Sequence, residues 1–418
     1  MSATAPAPVE GGPGAPAATA PEGESFGVYI HRWWAGVKAG DLGSLPIVVG
    51  LIIIAVVFQS QNSNFLTAGN FVNLIVQAAA ITTIGMGIVF VLLLGEIDLS
   101  VGFVSAVAGV TMALLTLPDN SHVFAAAPTM VIVLMVGVSI GILHGLLITK
   151  VGIPSFVVTL AGLLGWNGVV LLLIGDRGTV IVQNSFFVGF ANDFVPSGTA
   201  WILAIGGVVL YAGLLFWQRA QRVRHGLATA PDAVLALRVV GLAIAVFAVV
   251  YVCNQDRGIP YVLLMLAGVY LLWTYVLTRT RFGRHIYAVG GNVEAARRAG
   301  INVDNIKIAC FAICSMMAAL GGIVLASRLR SVDTGAGGGS ILLYAIAAPV
   351  IGGTSLFGGR GNVKSAVLGA LVIASIDNGL GLLGLSAGTK FIITAGVLLL
   401  AVTVDSVARK GRASSGRA

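Results

Sequence analysis

The chain has 418 residues, of which 57% are hydrophobic and only 10% charged, with a net charge of +8 and a mean hydropathy of +0.98. These values lie far from those of soluble globular domains, and they exclude a nucleic-acid-binding protein, because no soluble basic domain exists to carry the positive charge. The basic excess reads instead as membrane topology and attraction to an anionic lipid surface.

Residues 1–45 form the first segment; up to residue 25 it is Ala, Pro and Gly with a few Glu. It cannot bury a core, so it is expected to be a disordered cytoplasmic tail. No Asp, Glu, Lys or Arg occurs from Leu42 to Gly95, and a membrane span needs about 20 apolar residues. Spans are expected near 46–60, 71–94, 98–117, 127–149, 154–174, 199–217, 233–253, 259–278, 305–326, 341–356, 364–384 and 388–406. The segment 341–356 is short and ends in glycine, which suits a half-helix or re-entrant element.

This pattern predicts an all-α, polytopic integral membrane helical bundle of about twelve elements with both termini cytoplasmic. Residues 46–406 form the membrane domain, and 407–418 form a basic cytoplasmic tail. Alternation from a cytoplasmic start places Lys150, Arg219, Arg222, Arg224, the 279–304 loop, Arg360 and Lys364 inside. Arg177, Arg257, Arg328 and Arg330 are the exceptions. Gly137, Gly141 and Gly145, and likewise Gly162, Gly165 and Gly168, read as helix contacts, with a path-lining face as the alternative. Cys310 and Cys314 lie one turn apart in an apolar span and read as packing residues. The three cysteines supply neither a disulfide framework nor a metal site.

Three polar interruptions carry the functional reading. The stretch Arg279–Asp304 is polar between two apolar spans. Asn292 suits an N-cap and Gly300 a C′ position, enclosing about two turns of helix. A helix that short needs packing partners, so it has the form of a docking plug. The stretch Gly95–Gly102 places Glu96 and Asp98 near hydrocarbon, where unpaired carboxylates are costly. Asp98 reads as the N-cap of the next span, compatibly with a cytoplasmic polar gate that includes Ser100. The stretch Ile351–Gly361 holds Gly352, Gly353, Thr354 and Ser355 at a flexible helix break and lacks Walker spacing. Asn378, beside Asp377, is polar within a span. No nucleophile–base pair, metal cluster, chain of intramembrane acids or voltage-sensing arginines occurs, so neither an enzyme nor an ion-driven carrier is favoured. Energy must come from outside the chain, and no cofactor is expected.

The three stretches, in this order and spacing, resemble the permease subunits of bacterial ABC importers for ribose, galactose, xylose and related sugars. The likeness covers roughly 46–174 and 279–406. Three spans between 199 and 278, with a basic connector at Arg219–His225, make the chain most similar to the xylose-type subgroup. Leu342 and Tyr344 stand where ribose-type members carry acidic residues before Ala345–Ile346–Ala347–Ala348. The resemblance implies a multi-pass protein of the bacterial inner membrane, paired with a second permease copy as a homodimer. It also implies an ATP-binding subunit docked below, where hydrolysis occurs, and an extracytoplasmic sugar-binding protein above. Gly283, Arg284, Tyr287, Gly290, Gly291, Asn292, Glu294, Ala295, Ala296, Arg297 and Gly300 would form the coupling element. Glu96, Asp98, Ser100, Gly352, Gly353, Thr354, Ser355 and Asn378 would line or gate the path of a monosaccharide such as xylose. The alternatives are another small polar cargo or a stand-alone secondary carrier.

Overall fold

A computed structural model describes residues 45–118, 123–227, 229, 231–396 and, singly, 27, 31, 34, 399 and 403. The helices are α1 (Leu45–Gln61), α2 (Ala68–Leu93), α3 (Val101–Leu115), α4 (Ala126–Leu146), α5 (Ser155–Ile174), α6 (Ser185–Asn192), α7 (Ser197–Arg224), α8 (Asp232–Asn254), α9 (Tyr261–Arg279), α10 (Arg281–Gly291), α11 (Val293–Arg298), α12 (Val303–Leu329), α13 (Ser340–Ile351) and α14 (Val363–Leu382). A π-turn at Leu147–Val151 extends α4. Short strands β1 (Thr179–Ile181) and β4 (Ser331–Asp333) pair antiparallel, as do β2 (Phe194–Val195) and β3 (Ile259–Pro260).

Among the described residues, eight helices are long and apolar enough to cross a membrane, and α1, α3 and α13 are shorter apolar helices. The 12 residues of α13 reach about 18 Å, well short of a hydrocarbon core of about 30 Å. Pro349 lies inside it, and Gly352 follows. The expected element at 388–406 is helical from 387 to 396, and most of the remainder lies outside the described residues. So do the expected tails.

The chain divides into two units, residues 1–41 with 201–248, and residues 42–200 with 249–418. In the first, α7 and α8 are joined by an Arg219–Asp232 ion pair of 2.6 Å and by Trp201 against Phe247. These are the two added spans expected from the sequence.

In the second unit, α12 is the central post. Its buried face includes Cys310, Phe311, Cys314, Met317, Ala318, Gly321, Gly322 and Ile323. It runs antiparallel to α2 and α4, and small residues set the approach. A Cβ at Gly141 would lie 2.3 Å from the Phe311 carbonyl oxygen, and one at Gly145 2.7 Å from the Ile308 Cα. Gly137, Gly141 and Gly145 are therefore helix contacts. Gly162 abuts His144, while Gly165 and Gly168 meet nothing within 4 Å. The buried thiols Cys310 and Cys314 fill the same seam. Across the unit, α14 packs on α2 and α13. Asn378 sits in an amide cluster there, accepting from Asn70 at 2.9 Å and donating to Asn70 at 3.0 Å and to Gln77 at 3.2 Å.

Candidate functional site: a glycine crossing beneath a capped surface helix

The Arg279–Asp304 stretch folds as two successive helices, whereas only the second was expected. Thr280 caps α10, accepting from the Gly283 amide at 3.1 Å. A Cβ at Gly283 would fall 2.2 Å from the Leu277 carbonyl oxygen, so the sharp turn from α9 into α10 requires glycine there. Gly283, Ile286 and Val289 face inward while Arg281, Arg284 and Ala288 face out. This spacing makes α10 amphipathic, a signal present in the sequence but read as part of a loop. Asn292 caps α11, accepting from the Ala295 amide at 2.9 Å. Gly300 takes a left-handed φ of 81° beyond its end, as helix C-caps prefer. Only Ala296 of α11 is buried. Val293, Glu294, Ala295, Arg297 and Arg298 are exposed, and Glu294 reaches Arg297 and Arg298 at 3.6 and 3.8 Å.

The three polar stretches converge at α10, the helix preceding α11. The Gly359 amide donates to the Leu93 carbonyl oxygen at 2.9 Å. A Cβ at Gly290 would lie 1.7 Å from that oxygen, and one at Gly358 2.8 Å from the Gly290 oxygen and 3.0 Å from the Gly95 nitrogen. Backbones from α10, the α2–α3 link and the α13–α14 link thus cross with no room for side chains. Tyr287 donates its hydroxyl to the Gly361 carbonyl oxygen at 2.8 Å, and burial raises its pKa above the usual phenol value. Glu96 ties the crossing to Lys307 of α12, and a second ion pair joins α12 to the end of α4. Glu96 meets Lys307 at 2.5 Å, half-buried, and Asp304 meets Lys150 at 2.7 Å in a more exposed setting.

Asp98 is not the N-cap of α3; Ser100 holds that position. Asp98 Oδ1 accepts from the Ser100 amide at 2.9 Å and from its hydroxyl at 2.6 Å, as an Asx turn does. Its Oδ2 is buried without a hydrogen-bond partner. His144, distant in sequence, lies with Nδ1 3.5 Å from Ser100 Oγ, and its Nε2 accepts from Trp166 Nε1 at 3.2 Å. Sequence reading found no histidine near Asp98, because only packing of α4 against α3 brings one there. No group of three or more metal-binding side chains occurs among the described residues.

Gly352 meets the Ser365 backbone, its Cβ position 1.8 Å from that oxygen. Thr354 is buried, its amide on the Pro349 oxygen, and the Ser355 amide bonds the Arg360 oxygen at 2.8 Å. These residues shape the turn after α13. At the other end of the unit three cavities share Arg328 in their walls. Neither these residues, Glu96, Asp98, Ser100 nor Asn378 line them; Asp377, next to Asn378, does. Arg328 was legible as a basic residue breaking the positive-inside pattern.

A family described as branched-chain amino acid transport system / permease component matches residues 70–402. The xylose transport system permease protein XylH of Escherichia coli (strain K12) is 35% identical over 90% of this chain and 95% of its own. Its namesake in Haemophilus influenzae is 34% identical over 88% and 98%. The ribose import permease protein RbsC of Escherichia coli (strain K12) is 32% identical over 88% and 95%. No solved structure matches.

Proposed function

This chain belongs to the branched-chain amino acid transport system / permease component family, and from that premise we propose that it is the membrane-spanning subunit of an ATP-driven sugar importer. It is a multi-pass inner-membrane protein, similar along most of its length to xylose and ribose permeases. The proposed cargo is a pentose such as xylose, delivered by an extracytoplasmic binding protein. The proposed assembly pairs two copies of the chain over an ATP-binding subunit, with about twelve membrane elements per copy and both termini in the cytoplasm.

The observation that carries this reading is the exposed, capped helix α11, which follows directly on α10, the helix that carries Gly290 into the glycine crossing. A two-turn helix gains little stability from its own hydrogen bonds, and α11 is anchored by the buried Ala296 and by its chain neighbours α10 and α12. In this reading a push on its outer face passes directly to α12 and, through α10 and the glycine crossing, to α2 and the α13–α14 link. In the same reading Glu294, Ala295, Arg297 and Arg298 meet the ATPase. Gly283, Gly290 and Tyr287 hold the lever, and Glu96, Asp98, Ser100 and Thr354 close the inner end of the path.

All three cysteines are buried, so Glu294→Cys introduces an accessible thiol. A cleavable crosslinker attached there in native membranes is expected to trap an ATP-hydrolysing subunit. Crosslinking to lipid alone, with no nucleotide-hydrolysing partner, contradicts the reading.

A further inference from the structure

We infer that the cavities at the end of the bundle opposite α11 form a weak binding subsite for a small, neutral, polyhydroxylated molecule, held between Arg328 of α12 and Asp377 of α14. The inference rests on the transport reading and assigns it a place in the path.

Arg328 lines all three adjoining cavities, of about 290, 300 and 120 Å³, and Asp377 faces it across the smallest. Neither side chain makes a hydrogen bond or an ion pair among the described residues. Both are half-buried, whereas the half-buried Glu96 is matched by Lys307. Arg257, at the rim, is already held by Asp256 and Asn73.

A helix C-terminus favours a cation in its last turn, which accounts for a charge at Arg328 but not for its inward position or for the carboxylate opposite. Ionisable groups inside a membrane bundle mark solute pathways. A guanidinium and a carboxylate too far apart to bridge leave room for a ligand between them. Arg328 supplies donors only, and Asp377 acceptors only. A sugar hydroxyl is both donor and acceptor, so one ligand satisfies both walls.

The two charges oppose each other, which disfavours an anion or a cation. Gln77 and Asn73 add amides, and Ser340 adds a hydroxyl. Tyr344, 6% exposed, stands in the same wall. Both charged heads remain wetted, so affinity should be weak, on the order of millimolar, as conduction requires a site that releases its occupant.

The test is D-xylose binding to the purified chain in nanodiscs by saturation-transfer difference NMR, beside D-xylose uptake by the assembled transporter in proteoliposomes. Arg328→Gln and Asp377→Asn are each expected to weaken binding at least tenfold and to lower uptake, with unchanged apparent Tm and basal ATPase rate. Arg328→Lys, keeping charge without the planar fork, should fall between. L-leucine and xylose 5-phosphate should not compete. Binding that both variants leave intact, or that L-leucine displaces, overturns the subsite. Uptake that persists in both variants does so while leaving the transport reading in place. Binding that behaves as expected with no uptake by the wild-type assembly supports the subsite and counts against the transport reading alone.

Discussion

Gly290→Ala and Gly291→Ala are adjacent, chemically identical substitutions that should behave in opposite ways. At Gly290 the new Cβ falls 1.7 Å from the Leu93 carbonyl oxygen and 2.8 Å from the Gly359 nitrogen, whereas at Gly291 it meets nothing within 4 Å. The obstacle is backbone, pinned by the Gly359 to Leu93 hydrogen bond, so no side chain can rotate aside. Overpacking of this kind costs about 1–3 kcal/mol, and parting the crossing weakens a hydrogen bond worth about 1 kcal/mol. Alanine in place of a helical glycine offsets about 1 kcal/mol through backbone entropy. The net expectation is destabilisation of about 1–3 kcal/mol for Gly290→Ala, and a neutral to slightly stabilising Gly291→Ala. Thermal unfolding in detergent, followed by tryptophan fluorescence at one scan rate, should separate the two by roughly 1–4 °C. Equal midpoints, or a lower midpoint for Gly291→Ala, would refute the glycine crossing as the fixed point of this region.

Lys307→Met leaves Glu96 half-buried and unpaired and should cost about 2–3 kcal/mol, with Glu96→Gln/Lys307→Met recovering most of it; the more exposed pair tested by Lys150→Met should cost under about 1 kcal/mol. Asn292→Ala removes the cap of α11, a loss of about 1 kcal/mol. It should appear as faster amide exchange over 293–299 at nearly unchanged global Tm. Asn378→Leu strands the amides of Asn70 and Gln77 and should destabilise by about 2–3 kcal/mol, measured as the same midpoint shift. Tyr287 has a folded pKa raised by burial above its ordinary value of 10.0. Its stabilising share is therefore complete below pH 10 and declines as pH rises through the folded pKa. Tyr287→Phe should remove that alkaline loss from a pH series of unfolding midpoints.

Most of the architecture was legible because apolar length and charge sparsity leave a helical bundle few alternatives. Asn292 and Gly300 gave the bounds of α11 by cap chemistry alone, and the spacing of Gly137, Gly141 and Gly145 foretold the α4–α12 seam. The convergence of Gly95, Gly290 and Gly358 was not legible. Each glycine reads locally as a turn, and only packing of α2 between α10 and α14 makes them one crossing. The Asp98–Ser100–His144–Trp166 network was hidden for the same reason, since its members come from α4, α5 and the α2–α3 link. Arg328 and Asp377 were both visible as misplaced charges, but nothing along the chain reveals that they share a cavity wall. Residue 378 attracted the path assignment because amides in spans are rare, yet its hydrogen bonds are consumed by Asn70 and Gln77, and the cavity wall belongs to its neighbour.

The central claim is that this chain is a conduit driven by another protein through α11. Its most direct test is D-xylose uptake into proteoliposomes holding the chain alone or together with the ATP-binding subunit that Glu294→Cys crosslinking captures and the binding protein that co-purifies. The account predicts no concentrative uptake by the chain alone under a proton or sodium gradient, and ATP-dependent uptake once the partners are present. Accumulation by the isolated chain, powered by an ion gradient without nucleotide, would contradict it.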